Sequence, residues 1–128
     1  MANSVVSNVV HDGAVNVLLV VTGILDTSDH AIADITTISG LNPVPTLLRL
    51  DRVFYSIEDA LSCRLWWHAT ADLLIMPLAG RGHFDFDWFG GWTNPKTAGY
   101  TGNIRLSTAG WVGVKHFTLA LEFTKQFS

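Results

Sequence analysis

Apolar and polar side chains alternate strictly near the end of the chain, where Phe117, Leu119, Leu121 and Phe123 interleave with His116, Thr118, Ala120 and Glu122. A two-residue period assigns each set to one face of a strand, so this segment predicts a half-buried β-strand. The pattern recurs upstream. Leu61, Cys63, Leu65 and Trp67 alternate with Ser62, Arg64, Trp66 and His68, and after a turn over 69–72 the run from Leu73 to Leu78 closes a hairpin. Residues 47–57 predict a long strand with Leu48, Leu50 and Phe54 on one side and Arg49, Asp51 and Tyr55 on the other. Arg52 falls on the apolar side. A buried guanidinium there needs a carboxylate or carbonyl, with Asp26, Asp29 and Asp59 as candidates, and an edge position that lets the charged head reach water is an equal alternative.

In Val15 to Thr22 both alternate sets are mostly apolar, which predicts a strand covered on both faces or lying across a subunit contact. Between 30 and 39, Ile32, Ile35 and Ile38 sit three apart while Ile and Thr favour extended backbone, and a weak strand is the reading. Polar turn chemistry runs from Asp26 to Asp29, and the two prolines between Gly40 and Pro45 make that stretch a connecting loop. Gly80 and Gly82 bracket one residue, which suits a bulge or a close backbone approach. Beyond them Phe84 and Phe86 face one way and His83, Asp85 and Asp87 the other; then Ile104 and Leu106 alternate with Arg105 and Ser107, and a turn at 109–113 leads to the last strand. Residues 2–13 lack helical periodicity and predict an extended N-terminal arm ahead of one domain spanning 14–128. About eight strands and no convincing helix give an all-β fold, an antiparallel β-sandwich or jelly-roll-like barrel.

Composition adds a partner to this picture. With 48% hydrophobic and 15% charged residues in 128, the chain carries more apolar surface than a solitary monomer needs. A net charge of -3 with singly scattered basic residues leaves no footprint for nucleic acid and no polybasic membrane patch. The start has neither a basic head nor an apolar core, which excludes a secretory signal, and Val15 to Val21 is far too short to span a bilayer. Cys63, the single cysteine, reads as a small buried hydrophobe of a protein assembled in a reducing compartment.

Three constellations bear on chemistry. His83, Asp85 and Asp87 share a strand face at a spacing that can surround a divalent cation, although a solvated polar face explains it as well and is preferred; His68 and His116 would join only if the fold gathered them. Trp66, Trp88, Trp92, Trp111 and Tyr100 suit either a subunit interface, the favoured reading, or a stacking platform for sugars. Nucleophilic catalysis has no candidate: Cys63 lies on the core side and no Gly-x-Ser-x-Gly elbow occurs, so no catalytic residue, metal or cofactor is assigned.

The Asp26–Asp29 turn, the Arg52 to Asp59 strand, the Gly80-Arg81-Gly82 step, Phe89-Gly90-Gly91, Asn94-Pro95, Thr101-Gly102-Asn103-Ile104, Leu106-Ser107-Thr108 and the final strand closing near Lys125 follow one another in that order along the chain. The order resembles the one in small virion structural proteins of tailed bacteriophages, and the resemblance rests on these motifs. It covers about four-fifths of the chain, and Asn103 stands where the pattern has an aspartate. It implies a non-enzymatic decoration or cement protein on the outside of a capsid, made in the host cytoplasm, bound to the major capsid protein and assembled as a homotrimer at local threefold positions. Val5, Val6, Val9 and Val10 of the arm, with Trp88, Phe89, Trp92, Tyr100 and Trp111, are the expected contact residues. A tail, baseplate or connector component and a glycan-binding module are the alternatives.

Overall fold

The structure, a computed structural model, describes residues 4–25, 33–59, 61–109 and 114–127. Among the described residues nine strands form two antiparallel sheets packed as a β-sandwich, and the only helical pieces are two three-residue 3-10 turns. In chain order the strands are β1 (Ser4–Asp12), β2 (Asn16–Leu25), β3 (Ala33–Thr36), β4 (Leu47–Ile57), β5 (Ser62–Trp67), β6 (Leu73–Leu78), β7 (Arg81–Asp85), β8 (Ile104–Ala109) and β9 (Lys115–Gln126). The larger sheet runs β1-β2-β9-β4-β7 and the smaller β3-β8-β5-β6. The expected turn at 26–29 and residues 110–113 of the one at 109–113 lie outside the described residues, as does Trp111.

β9 is the central strand of the larger sheet, which is why its alternation is so regular: Phe117, Leu119, Leu121 and Phe123 all point into the core. They meet Cys63, Leu65 and Trp67 of β5 and Ile104 and Leu106 of β8 across the sandwich. Each such side chain contributes roughly 1.5–3 kcal/mol by leaving water. Cys63 is fully buried, and burial pushes its thiol up to about 12. At one end of the core the inward phase of β9 closes on Lys125, whose buried ammonium lies 2.6 Å from the Asp12 carboxylate and donates to the Gly13 carbonyl at 2.8 Å. The β1–β2 turn is thereby tied to the last strand.

Three expectations change. In β4 the inward set is Leu48, Leu50, Val53 and Ile57, while Phe54 points outward and is 43% exposed. The register against β9 slips between Leu50 and Arg52, and this bulge at Asp51 swaps the faces of every residue after it. Arg52 therefore leaves the apolar side. β2 is buried on one face only, because Leu18 and Val20 lie half-exposed on the outer surface. The extended arm is a strand of the sheet, paired with β2 from Ser4 opposite Ile24 to Asp12 opposite Val17.

The sheets differ in width by one strand, and both edge strands of the larger one are largely exposed. All nine residues of β1 are exposed except Val5, which is half-buried, and all five of β7 are exposed. The valines expected to make contacts thus lie at one edge of this sheet, and the turn that carries Trp88 follows the strand at the other.

Candidate functional site

At the β7 edge the backbone of β4 builds a platform for the aromatic loop. β7 pairs with β4 from Arg52 to Ser56, and beyond it the Phe86 N–H donates to the Asp51 carbonyl at 2.8 Å. Leu50 and Trp92 then exchange backbone hydrogen bonds of 2.9 and 2.8 Å. The bulge at Asp51 is what aims β4 at both segments. Between these anchors the chain makes a 3-10 turn (Asp87–Phe89) and stops on two glycines in the left-handed region, Gly90 at φ +93° and Gly91 at φ +86°. The Gly90 N–H donates to the Asp87 carbonyl and the Gly91 N–H to that of Phe86, a Schellman-type closure that satisfies the turn's carbonyls.

This closure divides the aromatics. Phe86 is buried and meets Trp92 edge-on, with ring centroids 5.2 Å apart. Phe84 stacks on Phe86 and Tyr55 at 6.1 and 5.8 Å, and Tyr55 lies over Gly82, where a methyl group would come within 2.9 Å of the phenol oxygen. The row extends the core sideways past the cover of the smaller sheet, so Phe84 faces inward and is still 44% exposed. Trp88, at the crest of the turn, is 82% exposed. Phe84, Phe86, Trp88 and Trp92 border a shallow groove of about 640 Å³.

On the opposite face of the same edge, Arg52 gathers acids from three elements. Its guanidinium lies 3.2 Å from Asp85, 2.9 Å from Asp87 and 3.0 Å from Glu122. The Asp85 carboxyl is held below its usual range, first by the Asp87 N–H that donates to it at 3.0 Å and then by Arg52. The cluster ties the edge strand and the turn to β9. Of the acids first considered for Arg52, Asp59 is not among these partners, and Asp26 and Asp29 lie outside the described residues.

The candidate contact residues are thus sorted by position. Trp88 is presented outward, whereas Trp92 is half-buried against the core and holds the loop from beneath. Phe89 belongs to the same turn, but its side chain lies outside the described residues. Tyr100 is 42% exposed in a separate loop, whose Thr101 N–H reaches the His68 carbonyl. Val6, Val9 and Val10 are exposed on β1, at the far edge, and Val5 packs partly on the core. Among the described residues the tryptophans do not assemble into one platform: Trp66 lies on the smaller sheet with its indole N–H donating to Ser107 at 2.9 Å.

The histidines disperse as well. His83 stacks on Phe54 at 5.6 Å, His68 approaches Asp34 at 3.3 Å and His116 approaches Glu58 at 3.4 Å. Among the described residues no group of three or more His, Cys, Asp or Glu forms a metal cluster, and no helix is long and apolar enough to cross a membrane. No protein-family model, curated protein or solved structure matches this chain.

Proposed function

We propose that this protein is a non-enzymatic virion structural protein of a tailed bacteriophage, a decoration protein that docks on the outer face of the capsid through its β7 edge and reinforces junctions between shell subunits. The observation that carries the reading is Trp88, 82% exposed on a turn closed by two glycines, braced by buried Phe86 and clamped by Arg52. An aromatic presented on a fixed turn beside an apolar groove is the kind of anchor that dominates binding energy at protein interfaces, because an indole buries a large area while freezing only two side-chain torsions. The partner is the major capsid protein, and the sandwich supplies a stiff body that spans its subunits.

The test is the copy number of this chain in purified particles, measured by quantitative mass spectrometry against the major capsid protein. A simple ratio to the shell protein is expected. Trace stoichiometry would move the chain to the tail or connector, and absence from particles would overturn the virion reading. In that last case quenching of the Trp88 fluorescence by sugars would test the groove as a glycan site.

A further inference from the structure

The larger sheet has a second edge, β1, that the docking reading does not use. Sheet edges invite pairing with other chains, and proteins blunt them with charge, proline, short length or bulges. Three of the four edges here are blunted. β3 has four residues, and its Asp34 is held by Arg105; β6 contains Pro77; β7 has five residues bounded by Arg81 and Asp85. β1 differs from them all. Its first seven residues, Ser4 to Val10, contain no charge, proline or glycine, and its only irregularity is a bulge between Val9 and His11. Val6, Val9 and Val10 are 56%, 43% and 56% exposed, more apolar surface than an edge strand facing only water requires.

We infer that β1 pairs antiparallel with β1 of a second copy of this chain about a two-fold axis beside Ser7, joining the two five-stranded sheets into one. The order of residues along the strand selects that occupant. A two-fold perpendicular to a sheet keeps each residue on its own face, so opposed residues must be an even number of positions apart. Centred on Ser7, the face carrying Val5, Ser7 and Val9 meets the second copy's Val9, Ser7 and Val5, valine opposite valine and serine opposite serine. On the other face Val6 meets Asn8, and Val10, the unpaired residue of the bulge, lies beyond the regular pairs. No like charges meet anywhere from Ser4 to Val10, and the bulge at Val10 ends the regular stretch where the symmetric register ends. The contact is isologous and closes on itself. It replaces the threefold assembly that the family resemblance implies, and it does not depend on docking to a capsid.

The test is made on the full chain by analytical ultracentrifugation and by oxidative crosslinking. Ser7→Cys places two thiols directly opposite, with Cβ atoms about 4.5–5.5 Å apart, close to disulfide reach. Asn8→Cys places them on a diagonal at about 7–8 Å, too far to bridge. Cys63 contributes no background, since its thiol is buried and pushed up to about 12. The expected result is a dimer that Ser7→Cys locks covalently under mild oxidation and Asn8→Cys does not. Ser7→Lys, at an exposed position, sets two ammonium groups against each other and is expected to weaken the dimer at least about tenfold without altering the far-UV circular dichroism. A wild-type monomer at every concentration, a trimer, or a dimer indifferent to Ser7→Lys would overturn the inference. So would equal crosslinking at positions 7 and 8.

Discussion

Gly91→Ala tests whether the turn that presents Trp88 is as constrained as its geometry implies. Two costs add. At φ +86° an alanine occupies the left-handed region, worth roughly 1–2 kcal/mol against a side chain. Its methyl group would also lie 2.5 Å from Cδ and Nε of Arg49. Arg49 cannot retreat freely, because Nε donates to Asp51 at 2.8 Å and Nη2 to Thr124 at 3.1 Å; giving up that charged pair costs about 1–2 kcal/mol more. The sum, about 2–4 kcal/mol, corresponds to a melting temperature lower by roughly 10 °C for a domain of this size. Thermal unfolding followed by circular dichroism reads the shift directly. Removing the obstructing side chain gives the sharper check: Arg49→Ala combined with Gly91→Ala is expected to cost less than the two changes summed, by about 1 kcal/mol. A Gly91→Ala protein that melts with the wild type, or single effects that simply add, would refute the argument.

Acid sensitivity follows from three carboxylates held below their ordinary range: Asp12 by the Lys125 ammonium, Glu58 by the N–H of His116, and Asp85 by the N–H of Asp87. A carboxyl with a lowered folded-state pKa binds fewer protons folded than unfolded, so its stabilisation is complete above about pH 4–5 and is lost as the pH falls through the folded value. The urea midpoint is expected to stay level from neutrality to about pH 5 and to drop below about pH 4; a midpoint that holds or rises on further acidification would contradict the assignment. Cys63, buried and poorly ionised, is expected to resist a thiol reagent in the native protein and to react at once in denaturant, and rapid native labelling would show the core to be open there.

Where a strand is regular and covered on one face, its role was legible in its residues. The alternation of β9 and β5 identified their buried faces residue by residue, and the bounds of β4 agree with the expected 47–57. The inward set of β4 was not legible, because a single bulge at Asp51 inverts the phase and a run of alternating residues carries no mark of the slip. Arg52 was placed on the apolar side for the same reason, while its 40% exposed side chain agrees with the alternative of a head that reaches water. Its partners Asp85, Asp87 and Glu122 are distant in sequence, and local patterns cannot pair them. In the aromatic loop the residue types pointed to a contact region, but not to the division of labour within it. Trp88 and Trp92 differ only in which side of a glycine-closed turn they fall, and that depends on hydrogen bonds to β4. The valines of the first strand suggested contact, while their pairing with β2 depends on an edge that exists only once the sheet has formed.

The docking claim is tested most directly by comparing wild-type protein and Trp88→Ala for binding to particles stripped of this chain. Truncating a central aromatic anchor typically costs at least about 2 kcal/mol, or about a thirtyfold loss of affinity. That loss is expected with the melting temperature unchanged, since Trp88 lies outside the core. Binding by Trp88→Ala equal to that of the wild type would show that the β7 edge is not the docking surface.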